Sequence, residues 1–232
     1  MYTIAHRGFA HTYPENTLLA IEESSSDSDM VEMDVRETQD GVLVVIHDAT
    51  LGRVTGVDMS VLEYTFEELQ AALPQSGRLF LPTLSEALGV AETEVLLETK
   101  GDVDIDAVVS VVQDAEVSVR IQSFYPAHFR ELCDKYDGLV GLLIPSESVL
   151  DAQGVPESSV TDPVEAATLV EQEGGDFAGV YHKICTAQVV ESFHSRGIEV
   201  FGWTVRDTET ADKLVSAGVD GLISDSLVYI DG

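Results

Sequence analysis

Short apolar segments alternate with amphipathic segments along nearly the whole of this sequence. Nine of the apolar segments have the length and aliphatic content of β-strands, and apolar residues recur at helical spacing between most of them. The predicted strands cover residues 2–6, 31–36, 43–47, 94–99, 119–124, 139–144, 177–181, 199–205 and 221–224. The predicted helices cover residues 17–24, 66–73, 84–91, 106–115, 127–136, 163–173, 186–196 and 208–217. Such alternation with short connections predicts an α/β fold in which helices cover a parallel sheet.

This many repeats favours a sheet that closes on itself, a TIM-type (β/α)8 barrel. Nine strands are one more than that barrel needs. Asp40-Gly41 is a hairpin signal between the second and third predicted strands, so one of those two is a local return, and the sequence leaves open which. Residues 52–81 show little strand–helix rhythm and are predicted to form a small insertion after the third strand. With no linker or low-complexity tract, residues 1–232 are predicted to be a single domain.

The charge balance excludes some classes of partner. Acidic residues number 42 against 12 basic ones, which gives a formal net charge of −30. Double-stranded nucleic acid and anionic membrane surfaces would be repelled. Because 44% of the residues are hydrophobic, the acidity does not indicate a disordered chain. We interpret it as typical of a halophilic protein from a high-salt cytoplasm, the alternative being an ordinary acidic protein.

Cysteine usage and hydropathy add to this picture. Cys133 and Cys185 provide neither a disulfide framework nor metal-type spacing, and both are predicted to be small buried residues. The first residues read as a strand rather than a signal peptide, and no segment approaches ~20 uninterrupted apolar residues. We therefore expect a cytoplasmic protein with no stable membrane association.

Ionisable residues gather at the ends of the predicted strands. In a parallel barrel, catalytic groups lie where strands end and the following loops begin. The second strand carries Glu32 and Asp34, which alternation places on one face, and Glu98 ends the fourth. Three carboxylates converging there would suit Mg²⁺ or Ca²⁺, with Mn²⁺ as a further candidate, whereas zinc prefers Cys and His. The alternative is a hydrogen-bonded cluster that braces the barrel with Arg36 or Lys100.

Two histidines lie near these carboxylates at strand ends. His6 and His47 form a pair suited to proton transfer near neutral pH. Arg7 and Lys100, two cations in a very acidic protein, are predicted to face an anion such as a phosphate. Asn16 either caps the first helix or supports the loop before it. The remaining histidines are predicted to be structural, at the surface or, for one, beside the pocket without a catalytic role: His128, His182, His194 and His11.

Several stretches resemble the glycerophosphodiester phosphodiesterase family. They are His-Arg-Gly at 6–8, Pro-Glu-Asn-Thr at 14–17, Glu-Met-Asp-Val-x-x-Thr-x-Asp-Gly-x-x-Val-Val-x-His-Asp at 32–48, Leu-Gly-Arg-Val-Thr at 51–55, Pro-Thr-Leu-x-Glu at 82–86, Leu-Glu-Thr-Lys at 97–100, Gln-Ser-Phe at 122–124, Gly-Trp-Thr-Val at 202–205 and Asp-Gly-Leu-Ile-Ser-Asp at 220–225. The resemblance covers essentially the whole chain in order.

The resemblance implies a barrel enzyme that hydrolyses glycerophosphodiesters, as small-molecule substrates, to glycerol phosphate and an alcohol with a divalent metal ion. By analogy, the metal ligands are Glu32, Asp34 and Glu98, and the acid/base pair is His6 and His47. Arg7 and Lys100 bind the phosphate, and Trp203 lines the pocket.

Three alternatives accompany this interpretation. One is a phospholipase of the sphingomyelinase D kind, which shares the barrel and its carboxylates. Another is a non-catalytic phosphate-binding barrel, which would be expected to lack one of the histidines or carboxylates. The third is a metal-dependent sugar isomerase, which predicts more ligands from later strands. The sequence leaves open the ion, the alcohol, the stereochemistry of the glycerol phosphate, the separate roles of the two histidines and the oligomeric state. It also leaves open whether the 2-hydroxyl of glycerol attacks phosphorus first, through a cyclic intermediate, or water attacks directly.

Overall fold

The computed structural model describes residues 1–73, 81–150 and 155–230. Within them lie nine strands: β1 (Tyr2–Ala5), β2 (Met30–Glu37), β3 (Leu43–Val45), β4 (Glu94–Thr99), β5 (Val119–Ser123), β6 (Val140–Ile144), β7 (Phe177–Tyr181), β8 (Glu199–Val205) and β9 (Gly221–Ser224). The helices are α1 (Leu18–Ser25), α2 (Gly52–Thr55), α3 (Phe66–Ala72), α4 (Leu84–Val90), α5 (Ile105–Gln113), α6 (Pro126–Lys135), α7 (Pro163–Glu173), α8 (Ala187–His194) and α9 (Thr208–Ala217). Every predicted strand is present, with ends that differ by at most two residues.

Eight of the nine strands form a closed parallel barrel. Neighbours follow the order β1-β9-β8-β7-β6-β5-β4-β2, and pairing of β1 with β2 closes the ring. Each of these pairings is parallel. The predicted TIM-type (β/α)8 barrel is therefore confirmed.

β3 is the local return that the sequence left undecided. It runs antiparallel to β2 with Val35 opposite Val45, so it adds an outer strand beside the barrel mouth. β3 ends two residues before the predicted limit of 47. The carbonyl of His47 accepts a hydrogen bond from Arg36 Nε (2.8 Å) rather than from a strand amide, and His47 consequently lies in a loop.

The described part of the predicted insertion packs together with β3. A separate apolar cluster joins this strand to α3 and the segments around them: Val44, Ile46, Leu51, Val61, Leu69, Leu73 and Leu81. Because β3 contributes to that cluster, the segment that packs outside the barrel begins with β3 rather than after it. Residues 74–80 of the predicted insertion lie outside the described residues. That residues 1–232 form a single domain stays a prediction.

Alternation along the strands divides the rest of the core into two. One face of each barrel strand packs against the helices, as with Val31 and Leu97. The opposite face carries Met30 and Leu96 in an inner apolar cluster. Glu32 and Glu98 share the inner face with these two residues and lie nearer the carboxyl ends of their strands. The barrel interior is thus apolar below and charged at the mouth.

The cysteines follow their prediction in part. Cys185 is buried and Cys133 is half-buried, and both are free thiols. Burial raises the pKa of each thiol to about 12. Among the described residues, no helix combines the length and the apolar content needed to cross a membrane.

Candidate active site

Three buried carboxylates meet at the mouth of the barrel. The parallel register of β2 and β4 places Asp34 beside Glu98. Glu32, two residues before Asp34, lies on the same face of β2. One oxygen from each side chain lies within 4.8 Å of the others. The three residues are 1%, 0% and 7% exposed for Glu32, Asp34 and Glu98. The sequence analysis predicted from the strand ends that these three carboxylates converge, but not that β2 and β4 are neighbours.

The electrostatics of the cluster are unequal. Burial and the neighbouring negative charges of Asp34 and Glu98 raise the pKa of Glu32 well above its usual range. Burial opposes the ionisation of Asp34 as well, but the positive charges of Lys100 and Arg7 outweigh it and hold the pKa of Asp34 well below its usual range. Burial also raises the pKa of Glu98, although Lys100 opposes that effect. Ionisation of all three carboxylates would therefore place more negative charge in the cluster than Lys100 and Arg7 balance.

The donor set fits a divalent cation. Glu32 Oε1 and Asp34 Oδ1 are buried and accept no hydrogen bond from any described residue. Lys100 Nζ lies 3.3 Å from Asp34 Oδ1 without hydrogen-bond alignment, and it donates to Glu98 Oε1. Lys100 thus braces part of the cluster, whereas Arg36 forms no ion pair with it among the described residues. Hard oxygen donors left without partners are what Mg²⁺ or Ca²⁺ requires.

The loop after β1 fixes the orientation of the carboxylates. Arg7, with φ of +52°, directs its backbone amide at Glu32 Oε2 (2.9 Å). A Cβ on Gly8 would lie 2.7 Å from the backbone of Ala20, so only glycine allows this approach to α1. The Asn16 side chain donates to Asp34 Oδ2 (2.8 Å). Thr17, not Asn16, caps α1, which settles the question that the sequence left open for Asn16.

Each of the two predicted histidines is held by an aspartate. His6 Nδ1 hydrogen-bonds Asp225 Oδ1, and His6 Nε2 lies 3.9 Å from Glu32. His47 Nδ1 lies 2.7 Å from Asp48 Oδ1. With Nδ1 engaged, Nε2 of each ring is the nitrogen available to a reactant. Burial lowers the pKa of His6 and brings that of His47 to about 4, which favours the neutral form of both rings.

Arginines hold the two aspartates from the outside. Arg206 Nε donates to Asp225 Oδ2 (2.5 Å), and Arg53 Nε donates to Asp48 Oδ2 (2.6 Å). Arg53 also binds Glu15 at 2.6 and 2.7 Å. The sequence analysis gave none of these residues a role. Asp48 follows His47 directly and Asp225 follows β9 directly, so the strand-end rule would have found both.

One cavity collects the predicted residues. Its lining consists of His6, Arg7, Glu32, His47, Glu98, Lys100, Gln122, Phe124, Leu143, Trp203, Thr204 and Ile223. Seven of the eight predicted site residues are in this lining, and Asp34 lies buried beside it. Trp203 packs edge-on against Phe124 (5.3 Å between centroids), and its Nε1 has no hydrogen-bond partner among the described residues. A larger groove of about 970 Å³ beside α6 and α7 contains none of the predicted residues.

The other four histidines lie outside this lining. His128 stacks on Tyr125 at 4.8 Å, and His194 Nε2 lies 2.8 Å from Asp220. His182 packs edge-on against Tyr181, and His11 packs against Tyr229.

Known proteins share both the sequence pattern and this architecture. The glycerophosphoryl diester phosphodiesterase family matches residues 6–228. A glycerophosphodiester phosphodiesterase of Caldanaerobacter subterraneus subsp. tengcongensis is 30% identical over 240 residues, covering 96% of this chain and 93% of that protein. The crystal structure of a glycerophosphodiester phosphodiesterase from Thermotoga maritima superposes with a TM-score of 0.76 at 27% identity, covering 96% of this chain and 93% of that one.

A further structure shows the same fold with a ligand. A phosphodiesterase of Oleispira antarctica in complex with the product sn-glycerol-3-phosphate superposes with a TM-score of 0.82 at 24% identity, covering 99% of this chain and 95% of that one. The family match extends over nearly the whole chain and agrees with the resemblance that the motifs indicated. The chain belongs to the glycerophosphoryl diester phosphodiesterase family.

Proposed function

We propose that this chain hydrolyses glycerophosphodiesters to glycerol phosphate and an alcohol. The single observation that carries the proposal is the pair of His–Asp contacts, at His6 and His47, facing one buried carboxylate cluster in a shared cavity. The family membership and the product bound to the Oleispira antarctica enzyme support a small-molecule phosphodiester as substrate.

The carboxylate cluster is proposed to hold the divalent ion. Glu32, Asp34 and Glu98 supply the hard oxygen ligands, two of them with oxygens that no described residue satisfies. A bound divalent ion there would withdraw negative charge from the oxygens of the phosphodiester. Arg7 and Lys100 line the same cavity and would stabilise the charge that grows on those oxygens during attack.

His6 and His47 are proposed to move the protons. One neutral ring accepts a proton from the attacking hydroxyl, and the other takes up a proton from solvent and donates it to the oxygen of the departing alcohol. Asp225 and Asp48 hold the Nδ1 atoms, so that Nε2 is the atom that exchanges the proton and the imidazolium is stabilised when it forms. Each such positioned group is typically worth about 10²–10⁴-fold in rate.

The test is release of glycerol phosphate from glycerophosphocholine, measured in molar KCl because of the acidic surface. We expect release that depends on Mg²⁺, Ca²⁺ or Mn²⁺, stops with chelator and returns when the ion is restored. Folded protein that releases nothing with any of these ions would overturn the proposal. Headgroup release from sphingomyelin or lysophospholipid vesicles, without glycerophosphocholine turnover, would favour the phospholipase instead.

A further inference from the structure

Arg36 differs from every other arginine in the described part of the chain. Arginines 7, 53, 120, 130, 196 and 206 each lie within 4.0 Å of a carboxylate oxygen. Arg36 has no carboxylate oxygen within that distance among the described residues, in a protein with 42 acidic residues and 12 basic ones. Its charge persists although burial lowers its pKa. Asp34, Glu98 and Asp48 act on Arg36 only from a greater distance. A half-buried cation with no carboxylate in direct contact, in such a protein, points to a site for an anion from outside the chain.

The backbone holds the Arg36 guanidinium in a fixed place. Nε donates to the carbonyl of His47 at 2.8 Å. Gly101, at φ of +66°, leaves the space for Nη1, because a Cβ there would lie 2.8 Å from that atom. Neither Nη atom donates a hydrogen bond to a described residue. The outer edge of the guanidinium therefore keeps its paired donors for a ligand.

Arg36 lies beyond the carboxylate cluster, towards the carboxyl end of β2. It occupies the same face of β2 as Asp34, two residues nearer the mouth, so strand geometry separates the two by about 6–7 Å along the strand. A phosphodiester seated at the cluster would therefore bring its next substituent to the level of Arg36.

A side pocket of about 410 Å³ lies at this level. Arg36, Lys100, Gly101, Ser60, Leu62 and Tyr125 are part of its lining. Lys100 also lines the catalytic cavity, so the two spaces adjoin. The side pocket has the volume of a ligand site and lies next to the catalytic cavity, where the alcohol part of a bound substrate could enter it.

We propose that this side pocket binds an anionic group, a phosphate or a carboxylate, on the alcohol part of the substrate. The proposal rests on the proposed function and adds a substrate class to it. Arg36 makes the paired contact with the anion, and Lys100 adds a second positive charge on the side of the scissile phosphate.

Two carboxylates at the edge of the pocket define the competing outcome. Glu37 and Asp102 also line it, and they would favour a cationic alcohol such as choline. Glu37 Oε2 accepts the amide of Asp104 at 2.7 Å, and Asp102 is exposed. Water and salt screen the exposed Asp102 more than they screen Arg36, and Glu37 is already engaged by the Asp104 amide, so the balance favours the anion.

The test compares glycerophosphoinositol 4-phosphate with glycerophosphoinositol, which differ by one phosphate, and includes glycerophosphocholine. We expect wild type to have the higher kcat/KM for the phosphorylated substrate and Arg36→Gln to lower the ratio of the two by about tenfold. Arg36→Lys should restore part of the ratio. Arg130→Gln, which removes an exposed arginine elsewhere on the surface, should leave the ratio unchanged.

The outcomes separate the two proposals. Wild type that hydrolyses none of the three substrates would overturn the proposed function itself. Hydrolysis with an equal ratio, a preference for choline, or an equal loss on all substrates in Arg36→Gln would overturn the side-pocket assignment alone. If Arg36→Gln fails to fold, Leu62→Glu places a carboxylate in the lining of the same pocket, at a position that is 50% exposed, and the same ratio should fall.

Discussion

The two ends of the barrel bury charge in opposite ways. At the amino end, Arg120 is 6% exposed, and its guanidinium binds Glu94 at 3.1 Å and Glu199 at 2.6 Å. The same group lies 5.0 Å from the ring of Tyr2 and 5.7 Å from that of Phe201. At the carboxyl end, three buried carboxylates lie close together, and two of their oxygens accept no hydrogen bond from a described residue.

The difference separates stability from function. Glu94 and Glu199 remain 26% and 40% exposed, so water shares in balancing the charges around Arg120. At the mouth, the carboxylates are almost fully buried, and the raised pKa of Glu32 shows that its charge is unfavourable there. Buried charge that is fully paired can contribute to the fold, whereas buried charge in excess requires a ligand to balance it.

The largest expected effect is a loss of turnover, without a loss of stability, when a residue at the barrel mouth is changed. We expect His47→Ala to lower turnover by about 10²–10⁴-fold, because the ring that exchanges a proton is removed. The free energy of unfolding in urea should change little, since the His47 side chain hydrogen-bonds only to Asp48 among the described residues. Glycerol phosphate release and urea denaturation check the two halves of the expectation. Near-wild-type turnover would remove His47 from the acid/base pair.

The next effect concerns the amino end. Arg120→Ala removes the shared partner of Glu94 and Glu199 and the packing on Tyr2, and we expect the free energy of unfolding to fall by about 3 kcal/mol. The kcat/KM of the folded variant should remain near that of wild type. A variant that loses activity while keeping its stability would contradict the division between the two ends.

A smaller effect tests Asp225 as a positioning residue. Asp225→Asn should lower kcat by about 10–100-fold, since His6 Nδ1 loses a charged partner. Asp225 acts to raise the pKa of His6 against the effect of burial, so the limb of the pH profile that depends on His6 should move to lower pH. A fall in kcat with an unshifted pH profile would indicate a structural role instead.

The smallest expected effect is a gain in stability rather than a loss. Since burial and nearby charge raise the pKa of Glu32 in the folded state, the unfolded chain loses this proton first as pH rises, and stability falls above the usual glutamate range. Near pH 7, without metal, Glu32→Gln should therefore be more stable than wild type by on the order of 1 kcal/mol, and inactive.

Urea denaturation in chelator at two pH values checks this expectation. The gain should disappear below about pH 4, where both states of wild type carry the proton. Glu94→Gln is the matched control, since Glu94 pairs with Arg120 and its loss should not stabilise the protein. A Glu32→Gln variant that is less stable near pH 7 would show that the carboxylate is balanced without an ion.

Strand alternation explains why the site was predictable to this extent. The face shared by Glu32 and Asp34 follows from period two, and parallel strands bring their carboxyl ends to one edge, so Glu98 joins them. The role of β3 was not predictable, because the hairpin signal at Asp40-Gly41 is the same whichever strand enters the barrel.

Contacts between residues far apart in the chain could not be predicted from the sequence. Arg53 meets Glu15 across 38 positions of the chain, and His6 meets Asp225 across 219. Nothing in local pattern or spacing pairs such residues, since the closure of the barrel brings them together. That Arg36 has no carboxylate in direct contact among the described residues likewise depends on distances that only the folded chain defines.

A calorimetric titration of Mg²⁺, Ca²⁺ and Mn²⁺ into metal-free protein tests the central claim most directly. Wild type, Glu98→Gln and Glu94→Gln are compared in high salt, and the two variants change carboxylates at opposite ends of the same strand, β4. The account predicts saturable binding by wild type and Glu94→Gln, with affinity reduced at least about tenfold in Glu98→Gln. Equal affinity in all three proteins, or an equal loss in both variants, would contradict it.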